Sequence, residues 1–170
     1  MDLRKVIANE YSKRQVNQIV KYVGKDARRF KKLVQIYLEG PYRITQRTAW
    51  PLSYCVENQP ELIIPHLKKM LDQLQKPDVM DAVKRNTMRL LQFVEVPEKY
   101  HGRIIDTAFR YLHNKKEPVA VKVFSMTVLS MLTKGEPELQ KELRMMLEDQ
   151  LPYAKPGFIA RAKKTLKELK

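Results

Sequence analysis

The chain has 170 residues, of which 44% are hydrophobic, enough to bury a full core without disulfides or structural metals. Its 33 Lys+Arg against 19 Asp+Glu leave a net charge of +14, which favours polyanionic or acidic partners. A single cysteine, Cys55, excludes an internal disulfide, and no uninterrupted apolar run suggests a secretory leader or a membrane span, so a soluble cytoplasmic protein is expected.

Apolar residues recur at three and four along the whole chain, without period-two alternation, which predicts helices and no strands. Ser12 precedes a helix over 13–23 that stops at Gly24, and Asp26 precedes a second over 27–39 that stops at Gly40-Pro41. Residues 1–40 are also the most basic part of the chain: ten basic residues less four acidic give +6.

Beyond Gly40 the sequence repeats. Ile44 to Leu52, Val83 to Leu91, Val121 to Leu129 and Phe158 to Leu166 align so that Thr48, Thr87, Ser125 and Ala162 coincide, as do Leu52, Leu91, Leu129 and Leu166, at offsets of 39, 38 and 37. Three of these segments are followed by a second helix opened by proline and glutamate, at Pro60-Glu61, Pro97-Glu98 and Pro137-Glu138. Proline has no amide to leave unpaired in a first turn, and glutamate suits the positive end of the helix dipole. The second helices are expected over 61–75, 98–113 and 138–151. Hairpins of this kind cannot bury their apolar faces alone and must stack.

The period, the helical hairpins and Pro51 inside a first helix resemble the HEAT-repeat (armadillo-like) family over about residues 41–170, with 12–39 as an atypical first repeat. The resemblance implies an all-α protein, a right-handed α-α superhelix (a HEAT-like solenoid) of about four helical hairpins. One domain is expected over 1–170, with repeats at about 12–40, 41–77, 81–118 and 119–156 and a terminal helix over 157–170.

A basic row follows from the alignment. Arg43, Arg47 and Trp50 in one repeat correspond to Ala82, Asn86 and Arg89 in the next, where Arg85 also lies on the row, and to Gly157, Arg161 and Lys164 in the last. Lys84 and Lys122 share another aligned position, that of Thr45 and Ile159. Lys122 stands inside the apolar stretch 119–132. Its position suits an ammonium tethering neighbouring repeats, with the stem covering apolar surface, or a rail of anion contacts with Lys84. The residues expected to bind a partner are therefore Arg43, Arg47, Trp50, Lys84, Arg85, Arg89, Lys122, Arg161 and Lys164. A second surface would run along the second helices, through His66, Lys69, Arg103 and Arg144.

A weaker resemblance, to HEAT-like DNA alkylation-repair glycosylases, implies a catalytic aspartate between aromatic residues. The lone Trp50 has no such aspartate beside it in the sequence. Paired carboxylates, a glycine-rich phosphate loop and a nucleophile elbow are likewise missing from the pattern. The expectation is a binding or scaffold module and not an enzyme, with no cofactor, metal, small-molecule substrate or membrane. Its partner is another protein or, alternatively, a nucleic acid.

Overall fold

A computed structural model describes residues 1–169; Lys170, the last residue of the expected terminal helix, lies outside the described residues. Helices account for the described elements and no strand occurs among them. They form two compact units, Met1–Val96 and a second from Pro97 onward. The division falls within the hairpin expected over 81–118.

The first unit contains α1 (Leu3–Asn9), α2 (Lys13–Val23), α3 (Ala27–Glu39), α4 (Tyr42–Asn58), α5 (Leu67–Leu74) and α6 (Asp81–Leu91). The caps read from the sequence are in place. The Ser12 hydroxyl accepts the Gln15 amide at 3.2 Å, and the Asp26 carboxylate accepts those of Arg28 and Arg29 at 2.9 and 3.0 Å. The two glycine stops differ in cause. Gly24 ends α2 at φ 48°, a conformation that disfavours a side chain. Gly40 has an ordinary φ of −75°, but a Cβ there would lie 2.6 Å from the Ile36 carbonyl and 3.1 Å from Ile44, so close approach is what requires glycine.

Two differences from the sequence reading have local causes. The helix expected over 61–75 begins as a 3-10 segment, Pro60–His66, and becomes α-helical only at Leu67. Pro65 cannot donate to the carbonyl four residues back and crowds that turn. The short helix α1 was not marked by the repeat pattern. Asp2 caps it through the Lys5 amide, and its two buried residues, Leu3 and Ile7, are one turn apart.

Around α4 the N-terminal unit builds its core. This helix packs against α1, α2, α3 and α6 and buries Leu52, Cys55 and Val56 beside Phe30, Leu33 and Tyr37 of α3. Each fully buried aliphatic or aromatic side chain contributes about 1.5–3 kcal/mol. Cys55 is a core filler as expected, and burial pushes its thiol pKa up to about 12. At pH 8 we therefore expect iodoacetamide to leave Cys55 unmodified in the folded chain and to label it in urea; equal labelling in both states would place the thiol at the surface.

The second unit contains α7 (His101–His113), α8 (Val119–Leu132), α9 (Pro137–Gln150) and α10 (Pro156–Glu168). Helix α8 is apolar nearly all round because it packs against α7, α9 and α10. The aligned small residues Thr48, Thr87, Ser125 and Ala162 are all buried, as are Leu52, Leu91 and Leu129, while Leu166 is half-buried. The hydroxyls of Thr48 and Ser125 donate to carbonyls of their own helices, of Ile44 at 2.6 Å and Val121 at 2.8 Å, so burial leaves neither hydroxyl unpaired. No helix among the described residues is long and apolar enough to cross a membrane.

Candidate functional site

The basic row divides into cations with partners inside the fold and cations without an ion pair among the described residues. Arg47, on α4, turns toward the C-terminal end of α1. Its guanidinium donates to the carbonyls of Ala8 at 2.6 Å and Ile7 at 3.3 Å, and lies 6.0 Å from the Tyr11 ring. A cation suits that helix end, where unpaired carbonyls carry partial negative charge. Gln15 completes the fastening by donating from its side-chain amide to the carbonyls of Val6 and Glu10. Trp50 meets Tyr11 edge-on at 5.4 Å and Tyr54 at 6.3 Å. The rings that meet it are thus both tyrosines, in edge-to-face geometry.

On α6, Arg89 reaches back to α4. It donates to the Ser53 hydroxyl at 2.8 Å and pairs with the Glu57 carboxylate at 3.5 Å, with both charged groups about two-thirds enclosed. Lys84 pairs with Asp81 of its own helix at 3.6 Å. Arg43 is exposed and Arg85 half-buried, and neither has an ion pair among the described residues. In the second unit Arg161 is half-buried and Lys164 exposed, again without an ion pair among the described residues.

Lys122 is only 8% exposed. Its ammonium donates to the Gln150 side-chain oxygen at 3.1 Å, and the Gln150 amide donates in turn to the Leu112 carbonyl at 3.0 Å. One relay therefore ties α8 to the end of α9 and the end of α7. Burial pulls the Lys122 pKa below the ordinary lysine range. Glu117 opposes that shift and Lys115 adds to it.

The second surface is also partly committed. Lys69 pairs with Glu39 at 2.5 Å in an exposed pair that holds the Glu39 carboxyl below its usual range. Arg144 of α9 donates to the carbonyls of Leu169 at 2.8 Å and Leu166 at 3.5 Å, closing the C-terminal end of α10. We expect Arg144→Ala to cost about 1–2 kcal/mol, because two half-buried carbonyls lose a charged donor. Hydrogen exchange of the last turn of α10 should then accelerate; unchanged exchange there would show the contact to be dispensable.

Apart from the row, the basic N-terminal segment supplies a second group of exposed cations, in which Arg28, Lys31 and Lys32 on α3 all face solvent. Their spacing opposite Phe30, Leu33 and Val34 was the available signal, since those three are buried. Near them, His66 lies 5.7 Å from the Phe30 ring; burial first, and then Lys31 and Lys69, lower its pKa.

Compared with known families, residues 3–169 match a family model described as HEAT repeat domain. No curated protein and no solved structure matches the chain.

Proposed function

Since this chain belongs to the HEAT repeat domain family, a helical-repeat scaffold class that is generally non-catalytic, we propose that it binds an acidic protein partner through its exposed basic positions. One observation carries this reading. Of the basic positions expected to bind a partner, Arg47, Lys84, Arg89 and Lys122 have partners within the fold, whereas Arg43 and Lys164 are exposed and Arg85 and Arg161 half-buried, all four without an ion pair among the described residues. A phosphate backbone is followed by an unbroken row of free cations, whereas an acidic protein surface needs only discrete matching charges.

The test is photocrosslinking in the host cell from a benzoylphenylalanine placed at position 43 or 164. Adducts destroyed by protease and resistant to nuclease support the reading. Adducts lost to nuclease, or no protein adduct at either position, overturn it.

A nucleic-acid reading is favoured by one observation, the solvent-facing Arg28, Lys31 and Lys32. It predicts binding to mixed-sequence DNA or RNA that weakens steeply between two salt concentrations. Charge reversal at Arg28, Lys31 and Lys32 should then weaken binding more than reversal at Lys68 and Lys69. Arg89 is unsuitable for that comparison because reversal there would place a second acid beside Glu57.

A further inference from the structure

The C-terminal unit contains a cleft of about 730 Å³, formed where the start of α8, the end of α9 and the start of α10 meet. Lys122 lines it. Its stem is enclosed, and its ammonium meets the neutral Gln150 oxygen at 3.1 Å and the face of the Phe158 ring at 6.0 Å. No carboxylate lies within ion-pair distance of it among the described residues. An ammonium has three protons to donate, and a largely buried one without a carboxylate in direct contact is costly.

Two helices also begin at this cleft. Neither α8 nor α10 has a side-chain cap at its N-terminus or an acidic residue in its first turn. Pro118 and Lys155, the residues at those ends, both line the cleft. Partial positive charge from the unpaired first-turn amides is therefore directed at the space that the ammonium faces. Lys115, Lys116 and Lys155 at its edge are exposed and in no ion pair among the described residues, against Glu117 and Asp149 as the acids present.

The remaining wall is apolar. Val119, Met146 and Phe158 line it, and Tyr153 stands at the rim with 92% of its surface in solvent. A free inorganic anion would leave that wall wet, whereas an acidic side chain carried on a peptide beside an apolar residue would meet both halves of the cleft.

We propose that this cleft receives a glutamate or aspartate side chain from the protein partner, the carboxylate lying on the Lys122 ammonium and the first-turn amides of α8 and α10, with an adjoining apolar side chain against Tyr153 and Phe158. The assignment rests on the scaffold reading above and names the chemistry of one contact. Binding brings a carboxylate within ion-pair distance of the enclosed ammonium, closer than Glu117 comes to it, so the same lysine that burdens folding favours recognition.

The experiment follows the amide spectrum of the ¹⁵N-labelled full chain. The probe is a capped pentapeptide, glycine-leucine-glutamate-phenylalanine-glycine, with its glutamine analogue as control. The expected result is saturable movement of the Val119, Ala120 and Gly157 amides, with binding about tenfold weaker for the glutamine peptide and for Lys122→Met. Tyr153→Ala, which touches no core, should also weaken binding while leaving the spectrum of the free chain intact elsewhere. The assignment is overturned if these amides do not move, if the glutamine peptide binds equally, or if both variants bind as the parent does. It is also overturned if sodium phosphate or acetate moves the same amides at the same concentration as the peptide, which would mark a small-anion site only. Protein crosslinks from positions 43 and 164 without any peptide response would remove the cleft and leave the scaffold reading standing. Peptide binding without crosslinks would do the reverse.

Discussion

Tyr37→Phe lowers the stability of the folded chain by about 1–3 kcal/mol, and Tyr37→Ala by about 3–5 kcal/mol. The Tyr37 side chain is fully buried, and its hydroxyl donates to the Val83 carbonyl at 2.9 Å with the Thr87 hydroxyl at 3.1 Å. Phenylalanine keeps the ring but strips two buried oxygens of a partner. Alanine adds a cavity where the ring stood. Urea unfolding followed by circular dichroism measures both changes. A phenylalanine variant as stable as the parent would show the hydroxyl to be neutral, and the order of the two variants tests ring against hydroxyl.

Gln150→Leu is expected to cost about 1.5–3 kcal/mol, whereas Lys122→Met is neutral or stabilising. Leucine leaves the enclosed ammonium without its acceptor and the Leu112 carbonyl without its donor. Methionine removes the charge itself, and the half-exposed Gln150 oxygen can turn to water. The double variant should recover much of the loss, and the coupling in that cycle isolates the relay. Additive losses would deny the relay altogether. The pH dependence has a definite sign. Burial lowers the Lys122 pKa, so the folded state binds fewer protons than the unfolded state between that lowered pKa and the ordinary value of 10.5. The penalty is complete below the lowered pKa and fades as pH rises toward 10.5, so the difference between parent and Lys122→Met should shrink over that interval.

How far the fold could be read in advance depended on whether the signal was local. Ser12, Asp26 and Gly24 act within their own turns, and the boundaries of α2 and α3 agree with them. Pro65 is equally local, but its effect was a change of helix type within a segment whose periodicity still looked helical. Helix α1 depends on Gln15 and Arg47, which reach it from α2 and α4; with only Leu3 and Ile7 buried, its own pattern was too short to register.

The candidate site shows the same division more sharply. Alignment placed Lys84 and Lys122 at one repeat position, yet one pairs with an acid of its own helix and the other with an amide of a different one. Position within a repeat is a matter of period, whereas a long side chain's partner is settled by whatever neighbouring helix comes within reach. Arg47 and Arg89 were legible as members of a row, but the groups that engage them lie more than thirty residues away in the chain. The cleft around Lys122 joins segments near 115, 150 and 157, none of which carries a motif, and it becomes visible only once α8, α9 and α10 are brought together.

The junction at Gly40-Pro41 bears on how a chain of this kind can change length. Helices α3 and α4 are separated by these two residues alone, and at the first of them even one extra carbon would collide with the Ile36 carbonyl. Insertions and deletions are therefore barred from this corner. Between α5 and α6, by contrast, residues 75–78 are all exposed, and loosening them would cost little closure entropy. Homologues of unequal size should accordingly differ at that second link while retaining the first residue for residue.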